Sequence, residues 1–205
     1  MPPDALTDDR AAELARLLGL QRHPEGGSYR EIFRSPRQVT PVANSGAAST
    51  EVGAAAGAAA DAGALASAGR GSSAGADIDT GRRSALTCID FLLVDGERSA
   101  WHRVASDEAW HLLEGGPLRL WLAPPALDRI DAVELARADG VRAPRHVVPA
   151  GWWQAAEPLA GCGHAYVGAT VGPGFEFADF AFGRDDAALR GALGALRPDL
   201  LRLLD

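Results

Sequence analysis

Lysine is absent from this 205-residue chain: its twenty basic residues are all arginine, and twenty-seven Asp and Glu leave a formal net charge of −7 and a pI near 5.2. An acidic balance without a basic cluster excludes nucleic acid and anionic membrane as main partners. Cysteine is nearly absent too. Cys88 and Cys162 lie far apart and form no C-x-x-C pair, which excludes a zinc ribbon and a dithiol redox motif; buried, reduced thiols are expected. The opening "MPPDALTDDR" lacks a basic start and an apolar run, so neither a signal peptide nor a membrane anchor is read there, and a cytoplasmic protein is expected. No repeat of solenoid period occurs. The length suits one domain over 1–205, long enough to bury roughly two thirds of its unfolded surface.

What is present divides into three stretches. "RAAELARLLGL" sets Ala11, Leu14, Leu17 and Leu18 on one face at helical spacing, with Asp8 or Asp9 as cap and Gly19 as stop, so a short N-terminal helix is predicted. "HPEGGSYREIFRS" then turns and alternates Tyr29, Glu31 and Phe33 against Arg30, Ile32 and Arg34, as a strand would. Residues 43–82 collapse into Ala, Gly and Ser; frequent glycine works against helix and little apolar surface is left to dock, so a disordered insertion is expected, with a lid over a pocket as its functional reading.

Beyond the insertion come short apolar segments punctuated by Gly and Pro, from "ALTCIDFLLV" to "GFEFADFAF", the pattern of an antiparallel sandwich or barrel. The tail "DDAALRGALGALRPDLLRLL" returns to helical spacing, with Pro198 separating two short helices. Strand alternation puts His102 with Ala100 and Val104 in "SAWHRV", and Glu108 with Trp110 and Leu112 in "EAWHLL". If "VASD" connects the two strands tightly, His102 and Glu108 point into one cavity.

Those residues carry a resemblance. Gly96, His102, Glu108 and Gly115 fall on the first cupin motif, with Val104 at its second His position; Pro149 and Gly151 fall on the second motif, with Gln154 where its His would stand. The blocks His23–Gly27, His102–Leu118, Val147–Ala156 and Val167–Phe180 closely resemble the cupin type 5 family, a domain of unknown function. The likeness spans nearly all of the chain except the Ala/Gly insertion. It implies an all-β fold, the double-stranded β-helix or jelly-roll barrel, to which the short N- and C-terminal helices read above are added, and a homodimer whose small-molecule activity is not established across the family.

A full cupin site binds a divalent metal with three His and one Glu. The matching set here is His102, Glu108 and Gln154, a poorer one, because a neutral amide is a weak ligand for transition metals. His111 could join them if a β-bulge near Ala109 turned it inward; otherwise it belongs on the outer sheet. Without metal, His102 beside Glu108 has the parts of a general base and its orienting partner, with Tyr29 or Tyr166 as the acid across the pocket. Glu25 and Arg30 at the mouth, with Trp110, Trp152 and Gln154 along the wall, complete the expected ligand contacts; Arg30 would suit an anion. In "GFEFADF" one acidic residue is expected to reach the cavity. Three functions follow: isomerase or epimerase chemistry on a sugar-like or keto substrate, a metal-dependent oxygenase or lyase, and a non-catalytic ligand-binding barrel.

Overall fold

The structure, a computed structural model, describes residues 4–40 and 82–205. The insertion over 43–82 and the lid reading attached to it lie outside the described residues, Arg82 aside.

Helix α1 (Asp4–Leu18) begins earlier than either proposed cap and stops where Gly19 takes φ +63°. Among the described residues thirteen strands follow: β1 (Gln21–Arg22), β2 (Ser28–Arg34), β3 (Gln38–Val39), β4 (Arg83–Ser84), β5 (Thr87–Val94), β6 (Ser99–Arg103), β7 (Asp107–Gly115), β8 (Leu118–Ala123), β9 (Asp131–Leu135), β10 (Arg145–Val148), β11 (Trp153–Pro158), β12 (His164–Gly172) and β13 (Ala181–Phe182). Helix α2 (Ala187–Leu196) and a 3-10 helix, Pro198–Leu203, close the chain on either side of Arg197, as the proline foretells.

The strands form two main antiparallel sheets, ordered β1-β2-β5-β12-β7-β10 and β13-β6-β11-β8-β9; β3 and β4 pair separately. Period-2 alternation then divides every strand between two environments. Facing inward at one end, Phe91, Leu93, Trp110, Leu120, Leu122 and Val167 pack into a dry core. On the outer face of the five-stranded sheet, Trp101, Trp121 and Trp153 meet Leu189, Leu193, Leu200 and Leu203 from the C-terminal helices. Helix α1 covers part of the other sheet's outer face through Ala11 and Leu14 on Leu92. Leu17, expected on that apolar face, is exposed instead.

Three register shifts alter the simple alternation. In β2 the pairing jumps from Glu31↔Ile89 to Phe33↔Cys88, so Ile32 is the extra residue; Arg34 rather than Phe33 ends up on the side of Tyr29 and Glu31. In β6, Ser99 and His102 face Ala156 and Gln154, with two residues between them against one on β11, which brings Ser99 to the side of His102. In β7 the extra residue is Leu113, between Leu112↔Val167 and Glu114↔Tyr166. Both cysteines are free and half-buried rather than fully enclosed.

Candidate functional site

The inner face is apolar at one end and reactive at the other. His102 comes from β6 of one sheet and Glu108 from β7 of the other, joined by the three-residue connection 104–106, and both line a cavity of about 120 Å³ between the sheets. They are 2% and 5% exposed. The short connection expected from "VASD" therefore does what convergence requires: it carries the chain straight across the sandwich.

Glu25 reaches the same place by a different route. The "HPEGG" turn folds against β6, with Gly26 N–H donating to His23 O and Ala100 N–H to Glu25 O, at 3.0 and 2.8 Å. Gly26 takes φ +110°, and a Cβ there would lie 2.0 Å from Arg98 O, so only glycine allows this approach. Glu25 is thereby buried beneath His102 rather than set at the mouth. Its Oε1 accepts the Ser99 hydroxyl at 2.9 Å, and its Oε2 lies 3.3 Å from His102 Nδ1 and 3.7 Å from His23 Nδ1.

These contacts fix the imidazoles. His102 Nδ1 sits 2.8 Å from Ala100 O, which can only accept, so Nδ1 carries the proton and Nε2 is left for the cavity. Phe180 stacks on the ring with centroids 5.4 Å apart. His23 Nδ1 accepts the Glu25 backbone N–H at 3.3 Å, while Tyr29 and Phe91 stand edge-on to its ring. Burial lowers the pKa of both histidines against the pull of nearby carboxyl groups, Glu108 for His102 and Glu25 for His23.

For Glu108 the balance goes the other way. Burial, helped by the charge of Glu25, pushes its pKa up to about 7, although His102 and a hydrogen bond from Gln154 work against the shift. Gln154 Nε2 donates to Glu108 Oε2 at 2.5 Å, and Gln154 Oε1 accepts the Trp110 indole N–H at 3.0 Å. The indole can only donate, so the amide's orientation is set. Glu108 Oε1 is the oxygen left to carry a proton toward the cavity. Glu25 is likewise raised by burial, with His23 and Ser99 opposing.

The expected metal set does not assemble. Gln154 spends its oxygen on Trp110 and turns its NH₂ to Glu108, Val104 offers no donor, and among the described residues no three His, Cys, Asp or Glu are grouped to hold an ion. His111 pairs with Gly168 and Arg145 on the outer face, because the bulge falls at Leu113, beyond it, and not near Ala109.

Other expected contacts lie elsewhere. Tyr166 points out from β12 toward α1, its hydroxyl donating to Asp90 at 2.9 Å, so it cannot act as the acid in this cavity. Arg30 pairs with the same Asp90 on that outer surface, at 3.5 Å. Trp152 packs against the dry core with Arg129 over its ring, and Trp110 contributes only through Gln154. "GFEFADF" is no strand: it forms a loop with a 3-10 turn at Phe177–Asp179 that presents Phe175, Phe177 and Phe180 to the cavity. Neither acidic residue in it enters. Glu176 pairs with Arg34 at the rim and Asp179 with Arg83.

Reasoning from sequence left out His23, Arg34 and Phe180. His23 sits in the quoted "HPEGG" block, a signal that could have found it; Arg34 depends on the Ile32 bulge, which no local pattern announces.

A family model described as Cupin superfamily (DUF985) matches residues 12–183. The chain belongs to this cupin family. A hypothetical protein from Leishmania major is 24% identical and superposes with a TM-score of 0.64, covering 92% of this chain and 93% of that one. A crystal structure from Shewanella oneidensis gives 24% identity and a TM-score of 0.62 over 95% and 94% of the two chains. Both likenesses bear on fold alone. A dTDP sugar isomerase from Desulfovibrio desulfuricans, 16% identical, covers 50% of this chain and 66% of that one with a TM-score of 0.43, too distant to inform the chemistry. No curated protein sequence matches the chain significantly. Among the described residues no helix is long and apolar enough to cross a membrane.

Proposed function

We propose that this cupin cavity binds a small carbonyl compound and moves a proton on the carbon next to the carbonyl, isomerase or epimerase chemistry that uses His102 as base and Glu108 as acid. The carrying observation is that an unprotonated His102 Nε2 and the Glu108 carboxyl, its pKa pushed up to about 7, line one cavity from opposite sheets. Environments that push two groups toward opposite protonation states are what acid–base catalysis near pH 7 needs.

In this reading Nε2 takes the proton from the C–H bond, whose electron pair becomes the C=C bond of the enol. Glu108 gives its proton to the carbonyl oxygen as the C=O π pair moves there. Where the carbon that lost its proton also carries a hydroxyl, the intermediate is an enediol: that O–H loses its proton as its electron pair forms the new C=O, the C=C pair takes a proton at the former carbonyl carbon, and an isomer results. Reprotonation from the opposite face gives an epimer, and Tyr29, the tyrosine lining the cavity, is the donor for that step. Glu25 and Ala100 hold the imidazole in the productive tautomer.

Proton NMR in D₂O tests the proposal with a panel of small cyclic ketones and hydroxy ketones. The expected result is protein-dependent exchange of the C–H beside the carbonyl, lost in His102→Gln. Absence of exchange above buffer with every compound, or persistence in His102→Gln, would sink it. Binding without exchange would instead support the ligand-binding barrel, a reading that the phenylalanine wall favours.

A further inference from the structure

We infer that the molecule taken by this site is uncharged and about the size of benzene, with one polar end toward His102 and Glu108 and an apolar body against Phe175, Phe177 and Phe180. The inference rests on the proposed function for the direction of the polar end, and it excludes carboxylates, phosphates and nucleotide-linked sugars as substrates.

Size comes first. The cavity measures about 120 Å³, slightly less than the engineered apolar cavity of about 150 Å³ that takes up benzene. A nucleotide conjugate would have to lie almost wholly outside it.

Charge decides the class. An anion brought into this space needs a cation, since an unpaired buried charge is strongly disfavoured. Arg34 is the arginine on the cavity wall, and four of its five N–H donors are engaged: Nε and one N–H of Nη2 with the two oxygens of Glu31 at 3.1 and 2.8 Å, Nη1 with Glu176 at 2.8 Å and Phe175 O at 3.2 Å. Arg30, the residue expected to greet an anion, is on the outer sheet with Asp90. His23 accepts a backbone N–H and so is neutral at Nδ1. Among the described residues the wall thus offers an anion no cation free of a carboxylate partner, and its carboxyl groups, on Glu25, Glu31 and Glu108, bring it no positive charge.

A cationic ligand fares little better, because each of those carboxyl groups already has partners: Arg34 on Glu31, Ser99 on Glu25, Gln154 on Glu108. The polar end that fits is a carbonyl or hydroxyl, which can accept from Glu108 O–H or donate to His102 Nε2 without carrying charge. The Arg34 clamp has a second consequence. By joining Glu31 on β2 to Glu176 and the Phe175 carbonyl, it ties the phenylalanine loop over the mouth, where Phe177 is 65% exposed.

Three near-isosteres test this by isothermal titration of the full chain at about pH 6, where benzoate and benzylamine are both ionised. Benzamide is expected to bind at least about tenfold more tightly than either. Glu31→Gln, which removes the carboxylate charge beside Arg34 and one of the two oxygens that accept from it, is expected to raise benzoate affinity and shrink that ratio. Benzoate or benzylamine binding as well as benzamide, or no binding of benzamide, would overturn the inference. No turnover is involved, so a failed exchange assay with the benzamide preference intact would remove the acid–base reading alone, and the reverse pattern would remove only this selectivity.

Discussion

Strand β6 has two faces that live under opposite rules. Outward, Trp101 is fully buried among Leu189, Leu193, Leu200 and Leu203, and its indole N–H donates to Leu200 O, so the region is apolar with its polar atom satisfied. Inward, one residue on, His102 is just as buried but shares its space with Glu25, Glu108 and His23, whose pKa values are displaced by that burial. Equal burial therefore has opposite uses. The outer face gains stability from it, at about 25 cal/mol for each Å² of apolar surface covered, whereas the inner face gives up stability to hold groups ready for proton transfer.

That contrast can be broken at either face, beginning where the effect is largest. Trp101→Ala is expected to cost about 3–5 kcal/mol in chemical unfolding, because it empties the centre of the outer cluster. The folded fraction should keep its C–H exchange rate, since His102 and Glu108 do not lean on the indole. Next, His102→Gln should slow exchange by about 10²- to 10⁴-fold while changing the unfolding midpoint little.

The third prediction concerns pH. The Glu108 carboxyl stands at about 7 in the folded protein against an ordinary 4.5, so the folded state holds this proton more tightly than the unfolded chain does. Its stabilising contribution is complete below about 4.5 and is lost as pH rises to about 7. Taken as the difference between the protein and Glu108→Gln, unfolding across this window should show that contribution falling with pH; in the protein itself the lowered pKa values of His23 and His102 act in the opposite direction. Smallest of all, Tyr166→Phe should cost about 1 kcal/mol through its bond to Asp90 and leave exchange unchanged; a large fall in exchange would return Tyr166 to the site.

The sequence made the same contrast only partly legible. Strand alternation and the cupin spacing identify His102 and Glu108 because both signals are local and agree. The tail reads correctly for the same reason, with Pro198 dividing the two helical pieces. Tyr166 shows where such reasoning stops: alternation tells which residues share a face of β12, with Ala165, Val167, Ala169 and Val171 together, but not which face meets the cavity. Bulges are harder still. One extra residue, Ile32, exchanges Phe33 for Arg34, and with it a greasy wall for the guanidinium that ties down the phenylalanine loop. The motif puts Gln154 opposite Glu108 as a ligand, whereas its amide is committed to Trp110 and Glu108, a partnership fixed only in three dimensions.

The most direct test of a reactive inner face is the titration of Glu108 itself, followed by ¹³C NMR on glutamate-labelled protein with Glu108→Gln to assign the signal. A midpoint near 7, with the carboxyl still largely protonated at mildly acidic pH, is the predicted result. A midpoint at the ordinary carboxylate value of about 4.5 would mean that Glu108 is simply an ionised wall residue, and the proposed acid would be lost.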